Sequence, residues 1–216
     1  MTNYKIFTFG GAGEHIAMSL LQRDINKDCV FYFDTDPMSV EQSYSENKYC
    51  IGDLIFPAGC IEVAKEVFDA KYELFDSLTD DDSLYILVGA FVGATAGAFL
   101  LKTAELLTKK GKLFVAIGSL PFFFEGNRRY EIAVSVMEDL QKITSNIIPV
   151  PNDNVKKLFK NITLREALEK ADYYTAEIIT ELLFLPEEKN KIISELLQKD
   201  SEISESILKI KNKCKK

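Results

Sequence analysis

Apolar residues fall in short unbroken runs, separated by loops rich in glycine, aspartate or proline. Tyr4–Phe9 (YKIFTF) ends in Gly10-Gly11-Ala12-Gly13, and a helix-like stretch to Leu21 follows. Cys29–Phe33 (CVFYF) predicts a second strand, stopped by Asp34-Thr35-Asp36-Pro37. Leu84–Val88 and Leu113–Ile117 are two more β-rich runs, each followed by a loop and a helical pattern. Asn146–Val150 predicts a fifth buried strand, closed by Pro151-Asn152-Asp153. Runs that are apolar throughout, rather than alternating, suit strands covered on both faces of a parallel sheet. Strand–helix alternation to about residue 185 therefore predicts an α/β fold with a doubly wound, mostly parallel sheet.

Leu164, Leu168, Ala171, Ile178, Ile179, Leu182 and Leu183 recur at helical spacing and predict one long helix, ended by Pro186. Beyond it the character changes. Ile193, Leu196, Ile203, Ile207 and Ile210 follow three–four spacing with Asp200 in the seam, which predicts an amphipathic helical tail over 186–216. Such a seam would be costly to leave in water. The tail is expected to dock on a helical protein partner, a second copy or the chain's own domain. Its basic ending, Lys209 to Lys216, adds attraction to an acidic surface, anionic lipid included.

Composition narrows the function classes. A net charge of -7 argues against nucleic acid as a partner, because binding it requires a basic surface that displaces counterions. No apolar run is long enough to span a bilayer, and the first residues lack a basic segment followed by an apolar one, so a cytoplasmic location is expected. Cys29, Cys50, Cys60 and Cys214 are widely spaced and His15 is the only histidine. No zinc site or histidine-based triad is expected, and the cysteines are expected to be reduced and mostly buried.

In an open α/β sheet, ligands bind beyond the carboxyl ends of the strands, and three such ends carry unusual loops. In Gly10-Gly11-Ala12-Gly13, glycines let backbone N–H groups approach an anion at a helix N-terminus; taken alone, the loop is equally a tight turn. Gly89 to Gly97 (GAFVGATAG) is a second loop of this type, without the lysine of a P-loop. The third, Pro121 to Arg129 (PFFFEGNRR), sets an acid and two cations after three phenylalanines. Glu125 suits ribose hydroxyls and an arginine suits phosphate, whereas Arg128 also fits a solvated helix start.

Together these loops resemble the GTP-binding domain of FtsZ and tubulin. That family's order is a glycine-rich first loop, an Asn-Thr-Asp turn, GGGTGTG, PF-x-FEG-x-x-R and IPND. Here the order is GGAGEH, FDTD at Phe33–Asp36, GAFVGATAG, PFFFEGNRR and VPND at Val150–Asp153, at near-family spacing across most of residues 1–185. The resemblance implies a nucleotide-binding domain over 1–185 holding GTP or GDP, with Mg2+ left open. It implies that Gly10, Gly11, Ala12 and Gly13 underlie the phosphates, and that Gly93, Ala94, Thr95, Ala96 and Gly97 form a second cradle. Glu125 and Arg129 would meet ribose and phosphate, Asn152 would approach guanine, and Asp172 would read guanine N–H groups.

The departures from the family pattern are specific. Val92, and either Ala94 or Ala96, stand at positions that are glycine in the family, and an alanine forced into left-handed geometry costs about 1–2 kcal/mol. His15 replaces the first-loop asparagine, and Leu168 the aromatic that stacks on the base. Each change predicts weaker binding. The family's acidic catalytic motif after the long helix, which completes a neighbour's active site, is not recognisable where Leu185-Pro186-Glu187-Glu188 stand.

The resemblance thus implies a divergent FtsZ-like GTP-binding protein with weak or no intrinsic hydrolysis. It would be a GTPase only if a neighbouring subunit or partner supplies the catalytic loop. Assembly with itself or a partner in filaments, cell division or membrane remodelling is the implied setting. Two alternatives stay open. One is a scaffold without turnover. The other is an NAD-type oxidoreductase, loosely imitated by GGAGEHI and the acidic Asp34 but without the third glycine of GxGxxG.

Overall fold

The computed structural model describes residues 3–23, 25–52, 59–155, 159 and 161–184. Six strands form one sheet: β1 (Tyr4–Phe9), β2 (Val30–Asp34), β3 (Asn47–Cys50), β4 (Leu84–Ala90), β5 (Phe114–Leu120) and β6 (Ile147–Pro151). Their order is β3-β2-β1-β4-β5-β6, and every pairing is parallel. Among the described residues the main helices are α1 (Gly10–Leu21), α2 (Pro37–Gln42), α3 (Ile61–Asp69), α4 (Tyr72–Leu78), α5 (Ala94–Lys109), α6 (Asn127–Ile143) and α7 (Leu164–Phe184). This is the doubly wound α/β fold that the pattern predicts. The tail over 186–216, including Glu187 and Glu188, lies outside the described residues.

Strand side chains alternate between the sheet's faces, and each face has its own core. Phe7, Phe9, Phe31 and Phe33 turn toward α3, α4 and α5. They build an aromatic layer in which Phe33 lies 4.9 Å from Phe75, and Phe68 stacks on Phe75 at 4.1 Å. Ile6, Ile86, Val88 and Ile117 turn the other way, against Ile16, Ala17 and Leu20 of α1 and Ala176 and Ile179 of α7.

Four expectations change. The short edge strand β3 (NKYC) has no apolar run to reveal it. The predicted fifth buried strand is the sixth and lies at the other edge, where Pro149 and Pro151 lack N–H groups that a central strand would need. Leu164 and Leu168 point outward at 58% and 45% exposure, because α7 packs through Ala167, Ala171, Ala176 and Ile179 instead. The cysteines are not mostly buried: Cys29 is half-buried and Cys50 and Cys60 are exposed, in loops or at element ends. Among the described residues, no helix is long and apolar enough to cross a membrane.

Candidate functional site

The strand order reverses between β1 and β4, and there the first turns of α1 and α5 open into one cleft of about 300 Å³. Gly10, Gly11 and Ala12 line it from α1, and Gly93, Ala94, Thr95 and Ala96 from the start of α5. Neither helix has a side chain capping its N-terminus. The first backbone N–H groups of a helix have no partner within it, so two uncapped N-termini make a cradle for an anion. Gly10 has φ +71°, a left-handed turn that a residue with a Cβ adopts only under strain.

The loop between β4 and α5 lies tight on the sheet because the sheet has no side chains beneath it. Gly89 and Gly118 are register partners on β4 and β5. A Cβ on Gly89 would come within 2.9 Å of the Ala96 Cβ, and one on Gly118 within 2.1 Å of the buried Phe91 ring. Phe91 thus anchors the loop that carries Gly93 to the cleft. The strain expected at Ala94 or Ala96 does not arise. Both sit in the first turn of α5, and among the described non-glycine residues only Asn161 has positive φ.

Two predicted glycines serve packing rather than the cleft wall. A Cβ on Gly13 would press on the Thr8 backbone at 3.0 Å, and one on Gly97 would meet Val136 and Ile61 at 3.1 and 3.2 Å. They let α1 approach β1 and α5 approach its neighbours.

The turn after β2 forms the cleft's third wall, through Asp34, Thr35, Asp36 and Ser39. The FDTD motif is legible in the sequence; the roles of its side chains are not. Asp34 is buried and fully engaged: Oδ2 accepts from the Tyr32 hydroxyl at 2.7 Å, and Oδ1 from the backbone N–H of Thr35 at 2.6 Å. Burial and the Asp34 charge push the Tyr32 hydroxyl far above its ordinary pKa, so it remains a donor. Asp36 Oδ1 caps α2 by accepting from Met38 N–H at 2.9 Å. The Thr35 and Thr95 hydroxyls meet at 3.2 Å, joining two walls.

Farther along the sheet, the two most specific motifs are tied together. The Phe123 N–H donates to Asp153 Oδ2 at 2.8 Å, and the Asn152 N–H to the Leu120 carbonyl at 3.1 Å. Glu125 Oε1 accepts from Phe122 N–H at 2.7 Å and Oε2 pairs with Arg129 Nε at 2.8 Å, so Glu125 orders its own loop. Asn152 Oδ1 is buried with no hydrogen-bond partner among the described residues, a polar atom that a ligand would satisfy. Its neighbour Asp153 ties down the PFFFEG loop, a role that the sequence does not reveal.

His15, Glu125, Arg129, Asn152 and Asp172 are not among the residues that line the cleft; His15 and Asp172 meet where α1 packs on α7. His15 Nδ1 lies 3.3 Å from Asp172 Oδ2, with the imidazole 67% exposed and the carboxylate only 18%. The hydrogen bond to Asp172 raises the His15 pKa, and burial raises that of Asp172 despite the imidazole. Leu168, one turn before Asp172 on α7, offers an exposed apolar surface beside it. Among the described residues no group of three or more His, Cys, Asp or Glu is placed to hold a metal ion.

Residues 3–160 match the family model described as Tubulin/FtsZ family, GTPase domain. This chain belongs to the Tubulin/FtsZ family. It is 29% identical over 188 residues to Cell division protein FtsZ 1 of Thermococcus kodakarensis, covering 82% of this chain and 49% of that protein. It is 28% identical over 179 residues to Cell division protein FtsZ of Aquifex aeolicus, covering 78% and 47%. The chain therefore spans about half the length of these relatives. Among solved structures, an empty FtsZ dimer from M. jannaschii superposes with a TM-score of 0.76 at 23% identity, covering 86% of this chain and 55% of that one. CetZ2 from Haloferax volcanii, a GTPγS-bound protofilament, gives 0.72 at 16% identity, covering 84% and 58%. These likenesses speak to the fold; the family match carries the GTPase-domain assignment.

Proposed function

We propose that the chain is a guanine-nucleotide-binding domain that hydrolyses GTP weakly or not at all by itself and assembles with itself or a partner. The observation that carries this reading is the convergence of two uncapped helix N-termini on one cleft. The phosphates would lie against Gly10–Ala12 and Gly93–Ala96. The ligand would extend past the orphaned Asn152 Oδ1 toward Asp172, whose carboxylate accepts the adjacent N–H groups that guanine offers and adenine lacks.

Weak turnover follows from how the cleft carboxylates are used. Phosphoryl transfer depends on groups that position water and stabilise charge. Asp34 is buried and accepts internal hydrogen bonds on both oxygens, and Asp36 Oδ1 caps α2, so both carboxylates serve to hold the turn. A group from a second copy or a partner would have to complete the site.

A dinucleotide oxidoreductase shares this strand order, so the topology alone does not discriminate. It would need an acid after β2 open to ribose hydroxyls, and Asp34 is buried and occupied. The nucleotide released on denaturing the purified full chain, separated by anion-exchange chromatography, tests the reading. GDP or GTP is expected, and NAD or ADP in its place would overturn it. Sedimentation of the full chain with and without GTP tests assembly; a monomer under both conditions at high concentration would remove that part.

A further inference from the structure

The contact between His15 and Asp172 joins the two helices that flank the proposed base end of the cleft. Asp172 is mostly covered, and the imidazole that contacts it is the more open of the two, 67% exposed against 18%. The carboxylate that would receive a guanine base is therefore already in use. We infer that His15 competes with guanine for the carboxylate of Asp172, so that binding of the base expels the imidazole and releases a proton to solvent. The inference rests on Asp172 as the guanine-reading group.

The charges around His15 set the direction. Asp172 and Glu169 face it from α7 and Glu14 from its own helix, and all three favour the imidazolium. The strands β1, β2 and β4 and helix α5 also pack on α1, but they add no ion pair to His15 among the described residues. Glu14 is itself buried, with its oxygen accepting from the Ser43 hydroxyl at 2.8 Å and Lys48 nearby. Once guanine N1–H and the 2-amino group donate to Asp172, the imidazole loses its strongest partner and its pKa falls toward the ordinary value.

The sign follows. Protons and guanine compete for the same arrangement, so affinity for guanine is highest above the His15 pKa of the free protein. It is lost as pH falls through that pKa. Each unit by which the complex lowers the pKa corresponds to about a tenfold change in affinity.

The GDP-to-ADP affinity ratio isolates the base, because both ligands carry the same phosphates and their titration cancels. For the full chain, calorimetry should give a ratio that rises about tenfold between pH 5.5 and 8. In His15→Asn the ratio should lose this rise and exceed the parent's at acid pH. His15 is the only histidine, so one imidazole signal in the NMR spectrum of the unmutated protein reports its titration directly, and GDP should lower its pKa. A ratio above one that stays flat with pH, or an imidazole pKa unchanged or raised by GDP, overturns the competition and leaves Asp172 as the base reader. A ratio of one at every pH overturns the base assignment itself.

Discussion

Replacing Gly118 by Ala tests whether the bare patch on β4 and β5 is what holds the nucleotide-facing loop in place. The added Cβ would lie 2.1, 2.2 and 2.4 Å from Cε1, Cζ and Cδ1 of Phe91, far inside van der Waals contact. Phe91 is fully buried, so its ring has no open space to enter. Its backbone N–H is also fixed, donating to the Ser119 carbonyl at 3.1 Å. Overpacking of a filled core costs about 1–3 kcal/mol. The gain from removing a strand glycine is about 0.5–1 kcal/mol, so the clash wins. For a chain of this size the net loss lowers Tm by a few degrees, at about 2–4 °C per kcal/mol.

A double-mutant cycle makes the assay specific. Phe91→Leu removes Cε1 and Cζ, the two ring atoms nearest the new methyl, and by itself leaves a cavity. Combined with Gly118→Ala, it should restore much of the loss, giving a coupling of about 1–2 kcal/mol between the two sites in urea unfolding. Because Ala90 and Gly93 flank Phe91 and line the cleft, Gly118→Ala should also weaken GDP binding, and the double variant should recover it. A Gly118→Ala protein as stable as the parent, or strictly additive effects, would refute the anchoring of this loop by Phe91.

Asp172→Ala should lose about 1.5–3 kcal/mol of GDP affinity, the range for a hydrogen bond to a charged group, with ADP affinity little changed in calorimetry. GTP turnover by dilute protein should be slow or undetectable in a phosphate-release assay, and steep growth in specific activity with concentration would show that neighbours complete the site. Asp81 gives a pH dependence remote from the cleft. Burial opposes its charge, yet Lys5 at 2.6 Å, the Tyr85 hydroxyl and Ser83 together hold its pKa below the ordinary value. Its contribution is therefore present above about pH 4, the unfolded value, and is lost as pH falls further. Asp81→Asn should cost up to about 1 kcal/mol at neutral pH, limited by its half-exposed side chain, and should flatten the acid limb of the unfolding curve.

The readable parts of this chain were those in which one residue type serves one local purpose. Phe31 and Phe33 face one core and Val30 the other, so β2 shows as an apolar run. The half-exposed β3 does not, because Asn47 and Lys48 serve an edge. In the same way Gly10 betrays itself through a left-handed turn at a strand end. Gly118, equally necessary, lies mid-strand, and its purpose is a contact with Phe91, 27 positions away in sequence. Residues whose role is defined by a distant partner carry no local pattern.

The same reasoning separates the motifs from their roles. PFFFEGNRR and VPND are recognisable, and their resemblance to the family implies that each touches a ligand. In the folded chain much of their polar capacity is turned on one another: Asp153 on the Phe123 N–H, Glu125 on Phe122 and Arg129, Asn152 on Leu120. The Glu125 bonds order one loop from within, and the bond from Phe123 N–H to Asp153 ties the two loops together. Within these motifs Asn152 Oδ1 stays buried without a partner among the described residues, and on α7 the carboxylate of Asp172 is the contested one. These are the atoms at which ligand chemistry should be sought, because binding there fills a need the fold leaves open.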